Sequence, residues 1–219
     1  MKTYVFIDAS NLFYGFNIEY GWRIDYGRLR KYFEEKYSAQ KVLYFGGIDS
    51  RLDIQPNKEF FHDYSVNDTV NLNEYIAHFE RLLKTYQLSV AQIALANKYI
   101  QQAKFYRKLE LFGYKLFIKP VKRYQNAEFE VSRRKANCDV DLTLEVLSNI
   151  ELYDRVIVVS GDGDFLPLYK YLERKNKEVY VLSRSSRVAR EVTNHLGTRF
   201  LEIRKLQNRI EFLGKNNQK

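Results

Sequence analysis

Five short apolar runs decide what this chain can fold into. "YVFI" (4–7), "KVLYFGG" (41–47), "YKLFIKPV" (114–121), "RVIVVS" (155–160) and "EVYVLS" (178–183) are rich in β-branched and aromatic residues, so each reads as a buried strand. Between them, 25–38, 139–153, 165–176 and 186–197 carry helical spacing, the last with Ser185 or Ser186 as its cap and Gly197 as its stop. Strands that alternate with helices need crossover connections. The expected fold class is therefore α/β, with a mostly parallel central sheet and helices on both faces. In such sheets ligands sit outside the carboxyl ends of the strands.

Two segments stand outside this alternation. Residues 57–112 hold a polar loop, "HDYSVNDTVNLN", and two long helical patterns, at 74–87 and 89–113. They read as an inserted helical hairpin that elaborates the domain, chiefly over 57–98. The domain itself is expected over 1–203, followed by a C-terminal helix and polar tail over 204–219. There is no internal repeat.

A single cysteine, Cys138, excludes an internal disulfide and suits a reducing compartment. The apolar stretch at the N-terminus is too short for a signal peptide, and no window approaches a membrane span. The expectation is a soluble cytoplasmic protein with no membrane partner. Lysine and arginine number 36 against 27 aspartate and glutamate, a formal charge of +9, which favours a polyanionic partner. Self-association is compatible with the sequence but leaves no signature in it.

The acidic residues are placed unevenly. Asp8 ends the first strand in "FIDASN", and Asp162 and Asp164 follow the strand at 155–160 in "VSGDGDF". If these strands are neighbours, all three carboxylates share one crevice. Taken singly, each has an ordinary explanation: Asp8 or Ser10 caps the next helix, and Asp164 caps the helix beginning at Phe165. Asp139 is harder to account for. On a wheel of about 100° per residue it falls on the broad apolar side with Val140, Leu142, Leu144, Val146, Leu147 and Ile150, while Asp141, Glu145 and Ser148 form the opposite stripe. An unpaired buried carboxylate is costly. A hard divalent cation, Mg²⁺ or Mn²⁺, accounts for all four aspartates, because it prefers oxygen ligands and needs neither histidine nor cysteine. Among clustered acids in a basic protein it would act on a phosphate.

Other chemistries lack their residues. There is no GxxxxGK[ST] or GxGxxG loop, and "GDGDF" does not continue as an EF-hand. His62, His78 and His195 are scattered and offer no zinc set. Cys138 has no neighbouring base and reads as a small packed residue rather than a nucleophile.

Three stretches in this order, "FIDASNLFYG" (6–15), "KANCDVDLTLEV" (135–146) and "VSGDGDFLPLYKYLERKNKEVYV" (159–181), closely resemble the NYN domain family in its LabA-like branch, a relative of PIN-domain nucleases. The matching motifs are D-x-x-N after the first strand, K-x-x-D-V opening a helix, and S-G-D-x-D-F after a later strand. The resemblance implies a PIN-like three-layer α/β/α sandwich and a divalent-metal-dependent ribonuclease. Asp8, Asp139, Asp162 and Asp164 match the acidic cluster, and Asn11, Ser160 and Lys135 match polar positions around it. Glu145 departs from the pattern, where the family often has aspartate.

On this reading Asp8, Asp139, Asp162 and Asp164 hold one or two cations, while Asn11 and Ser160 orient waters or phosphate oxygens. RNA, single-stranded or structured, is the expected partner. Candidate contacts are Arg133, Arg134 and Lys135, Arg184, Arg187 and Arg190, and Lys122 and Arg123, with Tyr124 and Phe129 available to stack on bases. The main alternative is an RNA-binding or regulatory protein that uses the same crevice without cutting. A small-substrate phosphatase would want D-x-D-x-[TV] where this chain has "DASN". A protein-interaction module would use the 57–112 hairpin as its surface.

Overall fold

The structure, a computed structural model, describes residues 1–13, 16–49, 51–53, 61–63, 70–124, 133–135 and 138–214. In chain order its elements are β1 (Thr3–Asp8), α1 (Ala9–Phe13), α2 (Phe16–Tyr20), α3 (Tyr26–Tyr37), β2 (Ala39–Ile48), β3 (Arg51–Asp53) and β4 (Phe61–Asp63). Next come α4 (Leu72–Thr85), α5 (Val90–Leu111), β5 (Tyr114–Pro120), β6 (Lys122–Tyr124), β7 (Arg133–Lys135) and α6 (Asp139–Ser148). The chain ends with β8 (Arg155–Val159), α7 (Leu166–Arg174), β9 (Glu178–Ser183), α8 (Arg190–Leu196), β10 (Phe200–Glu202) and α9 (Gln207–Ile210). All five expected strands are present. No helix among the described residues is long and apolar enough to cross a membrane.

The chain divides into two compact units. The first comprises Met1–Phe45, Phe112–Leu116 and the chain from Asp139 on, and the second Gly46–Leu111 and Phe117–Cys138.

A six-stranded sheet runs in the order β10-β9-β8-β1-β2-β5, and its pairings from β10 through β2 are all parallel. Val5, Phe6 and Ile7 on β1 and Val156 to Val159 on β8 are buried without alternation, as central strands covered on both faces require. From β1 the chain moves to β2 on one side, and from β8 it moves to β9 on the other. Right-handed crossovers in opposite directions place α3 and α7 on opposite faces of the sheet. The strand order therefore reverses between β1 and β8, and the carboxyl ends of these two strands flank the switch point.

The C-terminal segment departs from the expected helix. It forms β10 beside β9, a 3₁₀ turn (Ile203–Leu206) and the four-residue α9. Ile203 and Ile210 are both fully buried, and backbone bonds tie the segment down: Asp25 N donates to Ile210 O (2.7 Å) and Phe212 N to Arg23 O (2.8 Å). The two buried isoleucines bound a short helical segment, Ile203 opening the 3₁₀ turn and Ile210 closing α9, and the chain leaves the helix at Glu211.

In the second unit α4 and α5 pack as the expected hairpin. Asn71 caps α4 by accepting from Asn73 N and Glu74 N, and the rings of Tyr75, Phe79 and Tyr99 follow one another at 4.8 and 5.3 Å. Tyr106 Oη and Gln102 Nε2 both donate to Gly47 O, at 2.6 and 2.9 Å. The unit takes in more chain than the expected insertion and adds two antiparallel ribbons, β3 with β4 and β6 with β7. Residues 64–69 of the polar loop at 62–73 lie outside the described residues.

Candidate active site

Asp8 closes β1, and only 5% of it is exposed. Its Oδ1 accepts from Ser10 N (3.0 Å), Ser10 Oγ (2.7 Å) and, at 3.4 Å, Asn11 N, which makes it the cap of α1. Its Oδ2 accepts from Ser160 Oγ at 3.1 Å, across 152 residues of sequence. These donors offset the cost of burying the carboxylate. The same junction is tied a second time, because Asn11 Oδ1 accepts from Gly161 N (3.0 Å) and Ser183 Oγ (3.4 Å). Ser160 Oγ in turn accepts from Asp162 N at 3.3 Å. Asp162 Oδ1 accepts from Asp164 N at 2.9 Å, so Asp162, rather than Asp164, caps the 3₁₀ turn Gly163–Phe165 that leads into α7.

Of the two glycines of "SGDGDF", Gly161 is required by close approach to backbone, while Gly163 is crowded by side chains that can shift. A Cβ on Gly161 would lie 2.2 Å from Arg187 O and 2.7 Å from Ser183 Oγ, and one on Gly163 would lie 2.7 Å from Glu191 Oε1. The loop after β9 is thus seated on the loop after β8, and Ala189 N donates to Gly161 O at 2.9 Å.

Arg184, expected at the surface as an RNA contact, is 2% exposed and structural instead. Its Nη1 pairs with Glu19 Oε2 at 2.9 Å and its Nη2 donates to Asn11 O at 2.9 Å, joining α2 to the first motif. Ser186 Oγ also donates to Glu19, while Tyr20 Oη (3.1 Å) and Ser185 N (2.6 Å) donate to Glu202. The Ser186 hydrogen bond, with Arg184 behind it, outweighs burial and holds the Glu19 carboxyl below its ordinary range. The exposed arginines of this loop are Arg187 and Arg190.

Asp139 opens α6, half-buried, on the helix that packs against β1. The face of α6 that is covered differs from the expected one. Leu142 and Val146 are fully buried, whereas Val140 is 74% and Leu144 62% exposed. Glu145 is half-buried, accepts from Asn149 Nδ2 at 3.2 Å and lies 3.9 Å from Lys115 Nζ, so it does not belong to an open stripe. A wheel shows which residues share a side, but the side that is covered is set by where β1 lies. Asp139 shares the Leu142–Val146 side, three and seven residues along.

The structure thus joins Asp8, Asn11, Ser160 and Asp162 through direct bonds. Among the described residues, no three histidine, cysteine, aspartate or glutamate side chains come together as a metal-holding group. Asp8 and Asp162 each turn one oxygen to a capping bond, and Asp164 is exposed. Cys138 is buried and donates to Gly46 O at 3.6 Å, as a packed residue would. Arg133, Arg134 and Lys135 form β7 in the second unit, opposite Tyr124, Arg123 and Lys122 respectively. Phe129 lies outside the described residues.

Three participants were not anticipated. Ser183 ends β9 at the carboxyl side, where the strand-end rule already pointed. Glu19 carries no sequence signal. Tyr169 lies on α7, and burial, with the charges of Asp162 and Asp8, pushes its phenol well above the ordinary range.

Comparison with known proteins finds a curated relative, two solved structures and a family model. LabA, the low amplitude and bright protein of Synechococcus elongatus (strain PCC 7942), is 29% identical over 112 residues; the match spans 50% of this chain and 59% of that protein. A Vibrio parahaemolyticus RIMD 2210633 protein of unknown function shares the fold at a TM-score of 0.58, with 18% identity over 96% of both chains. The T5 D15 protein, crystallised with metal ions, superposes more weakly, at a TM-score of 0.42 and 17% identity over 88% of this chain and 59% of that one. The NYN domain model matches residues 2–203, which takes in both strands of the switch point and all three motifs; the chain belongs to the NYN domain family.

Proposed function

We propose that this NYN domain is a divalent-metal-dependent ribonuclease that cuts RNA internally at the carboxyl ends of β1 and β8. The observation that carries the reading is the Asp8–Ser160 bond, which joins the D-x-x-N and S-G-D motifs at the one place where the strand order reverses. A carboxylate fixed there by four donors contributes nothing to a surface that only binds polyanions, since it would repel the phosphates.

The donor chemistry suits Mg²⁺ or Mn²⁺, since the joined groups offer carboxylate, hydroxyl and amide oxygens and neither sulfur nor imidazole. Tyr169 adds a buried hydroxyl without a partner among the described residues. Asp8 and Asp162 would hold the cation, with Asp139 and Asp164 as the further carboxylates of the motif set. A bound cation supplies positive charge against the phosphate and lowers the pKa of a coordinated water. The protein's own part is positioning. Ser160 fixes the Asp8 carboxylate, Asn11 locks the loop after β8, and Arg187 offers a cation on the loop seated against Gly161.

The β6–β7 ribbon supports RNA as the substrate. Its register sets Lys122 opposite Lys135 and Arg123 opposite Arg134. Five of the six residues in the two strands are basic, a composition suited to a polyanion. A second reading, an RNA-binding protein that does not cut, draws on the absence of a three-member metal-holding group among the described residues. The two are separated by incubating purified protein with 5′-labelled single-stranded RNAs in Mn²⁺, Mg²⁺ or EDTA. Internal products with metal and none with EDTA are expected. RNA that is bound yet stays intact with both metals would favour the second reading.

A further inference from the structure

Tyr169 is fully enclosed on α7, and its hydroxyl has no hydrogen-bond partner among the described residues. Three other core tyrosines are satisfied, Tyr114 by Tyr26 O at 2.7 Å, Tyr153 by Val146 O at 2.9 Å and Tyr106 by Gly47 O at 2.6 Å, while the Tyr32 hydroxyl, far from the acidic motifs in sequence, shares the lack of a partner among the described residues. A phenylalanine would fill the same space without an unmet donor, and buried donors without partners are rare enough to need a reason.

Position supplies the reason. Tyr169 follows Phe165 by four residues, and Phe165 closes the 3₁₀ turn that Asp162 caps at the entry to α7. Helical side chains lean toward the N-terminus, which carries the phenol back toward the turn that Asp162 caps. Its ring lies 6.4 Å from that of Phe165, centroid to centroid. The charges of Asp162 and of Asp8 both act on it there, although neither carboxylate is bonded to it. An unused donor thus sits within the field of the two carboxylates that the motifs bring together.

We propose that Tyr169 is a positioning residue for the Asp8–Asp162 pair, its hydroxyl donating to one of the two carboxylates, directly or through one trapped water, once the pair holds a divalent cation. The inference rests on the metal-dependent reading above and extends it to a residue outside the acidic motifs. It also explains why a tyrosine is kept where phenylalanine would pack as well.

The test is Mn²⁺ binding measured by titration calorimetry without RNA, on wild type and Tyr169→Phe, with thermal melts of both in EDTA. The variant should melt at or above the wild-type temperature in EDTA and bind Mn²⁺ about ten- to a hundredfold more weakly. Mn²⁺ binding equal to wild type overturns the inference and leaves the hydroxyl a purely structural role. If wild type itself binds no Mn²⁺, the metal reading falls and this inference falls with it, an outcome distinguished by the silence of the unmodified protein. Should the variant fold poorly, the Tyr169 ¹³Cζ resonance of wild type decides. A shift on adding Mg²⁺ supports the role, and no shift overturns it.

Discussion

Gly161 shows how little freedom the residues of this site have. A methyl group there would meet the Arg187 carbonyl at 2.2 Å, and that backbone cannot step aside as the end of a flexible side chain would. Gly161→Ala should therefore cost toward the upper end of the about 1–3 kcal/mol seen for overpacking, read as a lower urea midpoint, and should reduce activity by displacing Asp162. The Glu19–Arg184 pair is a second fixed point. Removing the carboxylate leaves a guanidinium that is 2% exposed without its counter-charge, whereas Glu19 itself is 29% exposed. Glu19→Gln should cost about 2 kcal/mol, less than the roughly 3–5 for a fully buried pair.

The same pair predicts a pH dependence with a definite sign. Glu19 titrates below its ordinary value of 4.5 in the folded chain, through the Ser186 bond first and Arg184 next. A depressed folded pKa contributes stability that is present above the unfolded value and is lost as pH falls through the folded one. Glu173 acts in the same direction, since bonds from His195 and Arg199 outweigh its burial. Urea melts should show wild type losing stability as pH drops below 4.5, and Glu19→Gln losing less over that window. Equal slopes would show that the Glu19 pair carries none of the acid sensitivity.

At the scale of elements, the β-rich runs were legible because burial on both faces needs apolar residues at every position, and "RVIVVS" has no other plausible use. The orientation of α6 was less so. Val140 and Leu144 are apolar and exposed, so a count of apolar residues draws the core-facing axis toward them, whereas Leu142 and Val146 mark the side that is covered. Arg184 misled for a related reason: a basic residue after a strand reads as surface until its acidic partner is found, and Glu19 lies 165 residues away. The β6–β7 ribbon is the element whose role is most readily measured. Arg123→Ala with Arg134→Ala should weaken single-stranded RNA binding and flatten the log–log salt dependence by about 1.4, at about 0.7 for each phosphate no longer neutralised. An unchanged slope would remove the ribbon from the RNA path. Arg187→Ala should flatten it by about 0.7 while leaving the melting temperature near wild type.

For the whole molecule, the strand order β10-β9-β8-β1-β2-β5 does most to position the chemistry. Placing β8 beside β1 brings Ser160 to Asp8, and placing β9 beside β8 brings Ser183 to Asn11. The sequence pointed to carboxyl-end aspartates and to a sheet that could make them neighbours. It carried no sign of which hydroxyls would link them, because those bonds depend on a register set by packing. If this junction cuts RNA, its two joined carboxylates are indispensable. Asp8→Asn and Asp162→Asn, purified identically beside wild type, test this in one assay of fluorogenic single-stranded RNA with Mn²⁺, alongside a binding measurement in EDTA. Both variants should fold and retain RNA binding but lose cleavage by at least about a hundredfold. Cleavage by the variants at the wild-type rate would contradict it.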